Sequence, residues 1–319
     1  MKATLGTLRA AFETTGSPSW VMRVIKEAGF DQDNGFCLDL VLSGDKGTRA
    51  AQATQAMLAA GEADLIDTDW LSLERSQQAG EELTAIFPYG RIMGGMVTAP
   101  AAGISSLADL RGRRIGVIRT SDKNWIVIRA AFRKRYGFDL EREVAVDEAL
   151  SKTTLVEWLE AGRVEAAVLP WQLVPGLISD GGFRPLCDVL DLLEELGAPP
   201  VATTFFVVRP DFAIDRKELV VAFIAAYCAA VRVMRASGRA WLKGVVAAAG
   251  SPGTLMALRA AWSRRICCEW APHDRRSLQV FSQILEDAGS GECVSAASIP
   301  QSLLVPSPMN LRGRERWLP

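Results

Sequence analysis

Five short segments carry the residue types that could grip a small molecule: Thr14–Trp20, Ser43–Thr48, Asp67–Trp70, Thr120–Trp125 and Pro170–Gln172. Four of them hold a tryptophan, Trp20, Trp70, Trp125 and Trp171. An indole offers a flat apolar face with one N–H donor, which suits a cleft around an organic ligand; the competing reading is that each indole packs a core or an interface. The hydroxyls of Thr15, Ser17, Thr48, Thr68, Thr120 and Ser121 could donate to an anion beside helix N-terminal amides, or cap those helices, or do both. Arg91, Arg119 and Lys123 are the basic groups nearby. Asp67 and Asp69 act in the opposite sense, since two carboxylates in one loop repel an anion and attract an amine or polarised N–H unless one caps the next helix. The mixture favours a small organic or heterocyclic ligand over a simple inorganic anion such as nitrate.

Those segments share one kind of position. Short apolar runs alternate with helical patterns through the first two thirds of the chain, the sequence signature of βαβ units and a mostly parallel sheet. Strands are expected at 4–10, 37–42, 63–66, 84–87, 114–118, 144–146, 166–169, 184–186 and 203–208, with an apolar segment at 93–98. Helices are expected at 19–28, from 48 to 60, from 120 to 136, and at 151–161, 216–236, 241–249, 253–264 and 275–288. Pro18 suits the first position of its helix and Gly29 its end. In open α/β sheets ligands collect beyond the carboxyl ends of strands, where helices begin, and the five segments fall there. The last 20 residues are Pro-rich and are assigned no element.

The 319 residues carry 36 Lys+Arg against 37 Asp+Glu, a net charge of −1, so the surplus of cations that a nucleic-acid binder needs is missing. The apolar run 219–231 is shorter than the roughly 20 residues of a membrane span and reads as a buried helix. No apolar leader of 7–15 residues is visible after Met1, which leaves a cytoplasmic protein or one whose leader lies outside this sequence. Six cysteines, at 37, 187, 228, 267, 268 and 293, show no metal-ligand spacing, and neither a metal nor another cofactor is expected. His273 is the single histidine and the sequence holds no HExxH, G-x-S-x-G, Walker A or G-x-G-x-x-G, so an enzyme is disfavoured.

Four blocks resemble the nitrate/taurine/aliphatic-sulfonate branch of ABC-transporter substrate-binding proteins, with the periplasmic-binding-protein type II fold. Gly61-Glu62-Ala63-Asp64-Leu65-Ile66 is similar to the family's step from a helix end into a ligand loop. Ile104-Ser105-Ser106-Leu107-Ala108-Asp109-Leu110-Arg111-Gly112-Arg113-Arg114-Ile115-Gly116-Val117 resembles its approach to the second lobe. Gly162-Arg163-Val164-Glu165-Ala166 looks like a strand leading to a cleft residue, here Trp171, and Phe205–Phe212 like the return strand. Thiamin-pyrimidine synthase-like proteins are enzymes on a related scaffold.

The resemblance implies an α/β fold of two lobes with mixed, mostly parallel sheets and a C-terminal helical extension. It implies a first lobe of residues 1–97 plus 203–319 and a second of 98–202, hinged near Val97–Pro100 and Pro200–Thr204. Such a protein holds a small-molecule ligand between the lobes and passes it to a permease and ATPase, with no nucleic-acid partner and no membrane span of its own. It works in the periplasm if a leader precedes this sequence. The alternatives are a cytoplasmic enzyme acting on a small aromatic or pyrimidine-like metabolite, or a ligand-responsive regulator. The expected wall is Thr15, Trp20, Thr48, Asp67, Thr68, Asp69, Trp70, Arg91, Thr120, Ser121, Trp125 and Trp171.

Overall fold

The computed structural model describes residues 5–14, 16–44, 50–91, 94–199, 201–245, 251–270 and 274–287. Ten strands are named in chain order: β1 (Thr7–Glu13), β2 (Cys37–Ser43), β3 (Ile66–Asp69), β4 (Thr84–Arg91), β5 (Gly94–Thr98), β6 (Arg114–Val117), β7 (Ala145–Glu148), β8 (Ala166–Pro170), β9 (Arg184–Asp188) and β10 (Ala202–Val208). They form two layers. In the first, β2 pairs with β1 in parallel, and β3-β10-β4 follow antiparallel. A parallel bridge from Ala10 to Leu65 joins the two pieces into the order β2-β1-β3-β10-β4. The second sheet runs β7-β6-β8-β5-β9.

The two orders are the same. In each sheet the first strand sits between the second and third, and one strand delivered from the other half is wedged in antiparallel before the fourth. The sheets are mixed for that reason: βαβ crossovers give the parallel pairs and the crossing strands β5 and β10 give antiparallel ones. β4 ends at Arg91 in one sheet and the crossing strand β5, which includes Val97 and Thr98, begins at Gly94 in the other. The chain returns between the helix Val189–Leu196 and β10.

The quoted motifs have structural work. Asp64, 4% exposed, receives the Arg9 amide at 2.9 Å and its guanidinium, tying the end of the helix Ala50–Ala59 to β1. Asp109 accepts from the amides and hydroxyls of Ser105 and Ser106, which pull its carboxyl down to about 2 and fix the short turn before β6. Glu165 receives the Arg113 guanidinium at 2.7 Å and the Arg114 amide at 3.0 Å.

The helix Lys217–Ala236 is long and apolar enough to cross a membrane by length and composition. Twelve of its positions are nonetheless buried, among them Phe223, Tyr227 and Val231, in the core behind the first sheet. After it, the helix Pro252–Arg265 reaches the second half: Thr254 donates to Asp180 at 2.9 Å, and Arg265, 3% exposed, donates to Asp188 at 2.5 Å. The expected helix 241–249 is observed as Gly238–Val245, its remainder lying outside the described residues, as do His273, Cys293 and the Pro-rich tail.

Candidate functional site: a charged cavity between the lobes

Six strands, three from each half, lead into helices along the gap between the sheets. Their corners line one cavity of about 440 Å³. From the first half come Glu13, Gly16, Ser17 and Pro18, Thr54 and Gln55, Asp67 to Asp69 with Ser72, and Tyr89 and Thr204. From the second come Ile118, Arg119, Asp122 to Asn124, Leu150 to Lys152, Pro170 and Gln172. Arg75 leans in from the helix Trp70–Gln78 and donates to the Ser121 carbonyl at 3.1 Å. This is the strand-end site that doubly wound sheets offer, made twice and set face to face.

Charge is balanced across the gap. Asp69 caps the helix Trp70–Gln78, accepting from the amides of Leu71 and Ser72, and meets Lys123 at 3.2 Å. Burial pushes the Asp69 carboxyl up, but Lys123 and the Ser72 amide and hydroxyl outweigh it and hold the carboxyl below its ordinary value. Burial likewise disfavours the Lys123 ammonium, and Asp69 with Asp122 more than restores it. Glu13 pairs with Lys152. Asp67 behaves differently: burial raises its carboxyl to about 6, opposed by the Tyr89 hydroxyl that donates at 2.8 Å.

Asn124 and Arg119 are set apart from these pairs. Asn124 lines the cavity at 6% exposure, and its Oδ1 has no hydrogen-bond partner among the described residues. It packs so closely on Gly94 that a Cβ there would lie 2.4 Å from its Cγ. The Arg119 guanidinium has no hydrogen-bond or ion-pair partner among the described residues either. Leu150 adds backbone strain, since it is the one described non-glycine residue with positive φ, 61°.

The expected wall divides. Asp67, Thr68 and Asp69 line the cavity, as strand residues of β3 rather than a loop. Thr15 and Thr48 lie outside the described residues. Thr120 is turned to Glu148, which its amide and hydroxyl both reach, and Ser121 is exposed and contributes its carbonyl to Arg75. Arg91 donates to the Arg264 carbonyl at 3.4 Å, away from the cavity.

The four indoles are a correction. Trp70 and Trp125 are fully buried, Trp20 and Trp171 are 3% and 2% exposed, and none lines the cavity. Trp20 and Trp125 each stand third in their helices, behind Ser17-Pro18-Ser19 and Asp122-Lys123-Asn124. The cap and first residues face the gap and the third turns inward to the sheet, where a large apolar ring belongs. Trp70 packs on Phe281 at 5.0 Å, and Trp171 lies among core residues of the first half.

Glu13, Tyr89, Asn124, Ser151 and Lys152 escaped sequence reading. Ser151 and Asn124 carried a usable signal, since both fall at the start of expected helices and stand as cap and second residue of the observed ones. Glu13 gave none once β1 was placed three residues early.

Two α/β lobes of equal strand order around a polar interlobe cavity define the periplasmic-binding-protein type of architecture. Solved structures share it: the alkanesulfonate-binding protein SsuA of Xanthomonas axonopodis pv. citri, bound to MOPS, aligns with TM-score 0.71 and 15% identity over 92% of this chain and 98% of that one. The periplasmic aliphatic sulphonate binding protein SsuA of Escherichia coli aligns with TM-score 0.69 and 16% identity over 94% and 92%. The periplasmic nitrate-binding protein NrtA of Synechocystis PCC 6803 aligns with TM-score 0.59 and 10% identity over 76% and 66%. No curated protein matches the sequence. The chain belongs to the NMT1/THI5-like family, whose profile matches residues 22–238.

Proposed function

We propose that this protein is a solute-binding component of an ABC import system that captures a small polar organic molecule between its lobes. The observation that carries the reading is the nearly buried Asn124, whose Oδ1 has no partner among the described residues and which lines a cavity that both lobes wall. A buried polar atom without a partner costs about 1–3 kcal/mol, a cost that a bound solute relieves. Asp67 and Thr68 from the first half, with Arg119 and Asn124 from the second, supply acceptors and donors for a molecule bearing both kinds of group. The architecture shared with sulfonate- and nitrate-binding proteins supports the role and leaves the solute open.

On this reading the partners are a permease and an ATPase, and the setting is the periplasmic side of a membrane. The two connections between the lobes run from β4 to β5 and from the helix Val189–Leu196 to β10, and on this reading the lobes hinge there. A ligand touching both lobes favours closure by its extra affinity for the closed form. The test is a thermal-shift panel of alkanesulfonates, aromatic carboxylates and pyrimidines. One class should raise the melting temperature in proportion to log concentration once saturating, and Asn124→Ala should abolish that rise. A wild-type protein that answers none of the three, or an Asn124→Ala variant that still answers fully, overturns the reading.

A further inference from the structure

Both lysines of the cavity occupy the same awkward position. Lys123 and Lys152 are each the first residue of a helix, Lys123–Tyr136 and Lys152–Glu160. A cation there faces the positive end of the helix dipole, where local energetics favour a carboxylate. Each is answered instead across the gap: Lys123 by Asp69 at the end of β3, at 3.2 Å, and Lys152 by Glu13 at the end of β1. In both pairs the second lobe gives the cation and the first lobe the carboxylate. All four side chains are only 13–19% exposed, so solvent and salt screen them weakly. Asp69 is also held in place by its own capping bonds, which makes it a fixed anchor.

We propose that Glu13–Lys152 and Asp69–Lys123 are interlobe latches, positioning residues that bring the lobes together while the unpaired groups, Asn124 and Arg119 above all, hold the solute. The assignment gives the two lysines a reason to sit at helix starts that local energetics disfavour, and gives Asp69 a second task beside its capping. It rests on the solute-binding reading only for the use of closure, because the latches act whether or not a solute is present.

The experiment is small-angle scattering on the full chain with no solute added, comparing wild type, Lys152→Glu, and Lys152→Glu combined with Glu13→Lys. Lys152→Glu sets two carboxylates face to face and should give a larger radius of gyration. The charge swap should return the radius to the wild-type value, which a merely structural lysine would not do. Far-ultraviolet circular dichroism confirms that each variant is folded; if Lys152→Glu fails to fold, the milder Lys152→Met and Lys123→Met pair is read in the same way. An unchanged radius in the folded single or paired variants, or an expansion that the swap leaves in place, overturns the latch. Either result leaves the thermal-shift test of solute binding standing on its own.

Discussion

The Trp171 indole, carried just beyond β8 of the second sheet, meets Trp20 of the first half edge to face at 5.6 Å. Trp241 closes on Trp20 from the other side at 6.3 Å, and the Arg265 guanidinium lies over Trp171 at 5.8 Å. Pro170, the residue before Trp171, pairs with Gly94, where the chain has just crossed between sheets. The ring therefore stands beside the pairing of β5 with β8, and its edge-to-face contact joins the two halves there, while Glu13, Lys152, Asp69 and Lys123 line the cavity between them.

Trp171→Ala should therefore behave as a core truncation. The expected loss is about 3–5 kcal/mol of unfolding free energy, measured by denaturant titration in the absence of any solute. A variant as stable as wild type, altered only in solute binding, would return the indole to the cavity wall.

The contact between Gly94 and Asn124 gives a second test. An alanine methyl at 94 would lie 2.4 Å from the Asn124 Cγ and 2.9 Å from its Cβ, so the carboxamide has to move out of the cavity wall. Gly94→Ala should cost about 1–3 kcal/mol. Adding Asn124→Gly removes the obstructing atoms and should recover most of that loss, a coupling that a double-mutant cycle reads directly. Strict additivity of the two substitutions would show that the close approach is not what confines position 94.

Much of the fold was legible because it rests on local signals. Nine expected strands overlap observed ones directly. Pro18 and Gly29 bound the first helix as expected, with Gly29 at φ 72°. The site was half legible. Asp67, Thr68 and Asp69 were found because they stand at a strand end, yet the four tryptophans were misplaced. A strand-to-helix corner tells which residues approach the gap. Whether the third helical residue looks out or in depends on the sheet beneath it, which no local pattern contains. The Glu13–Lys152 pair spans 139 positions and unites two corners whose facing is decided only when the lobes meet.

Asp67 makes stability depend on pH with a definite sign. Its carboxyl titrates at about 6 in the folded protein against an ordinary 3.8, chiefly because it is buried. Between those values the folded chain binds more protons than the unfolded one, so stability falls as pH rises and the cost is fully present above about pH 6. Asp67→Asn keeps an acceptor for Tyr89 and removes the titration. The variant should gain stability that grows from pH 4 to about pH 6 and then levels, reaching on the order of 2 kcal/mol at pH 8. Melts across that range check it, and a gain independent of pH would place its origin elsewhere.

Leu150 supplies the last test, because its strain and its packing can be separated. Its φ of 61° belongs to the left-handed region, which costs an L-residue about 1–2 kcal/mol, and at 39% exposure its side chain returns little burial energy. The turn is held by the Leu150 amide donating to the Ile118 carbonyl at 3.0 Å, and it sets Ser151 and Lys152 at the cavity edge. Leu150→Gly relieves the steric cost but adds freedom to the unfolded chain, so the net gain should be modest, about 0.5 kcal/mol. Leu150→Val, β-branched in the same conformation, should instead lose about 1 kcal/mol. Opposite signs in the two denaturation midpoints locate the strain in the backbone; equal losses would locate the energy in the leucine side chain and its contacts.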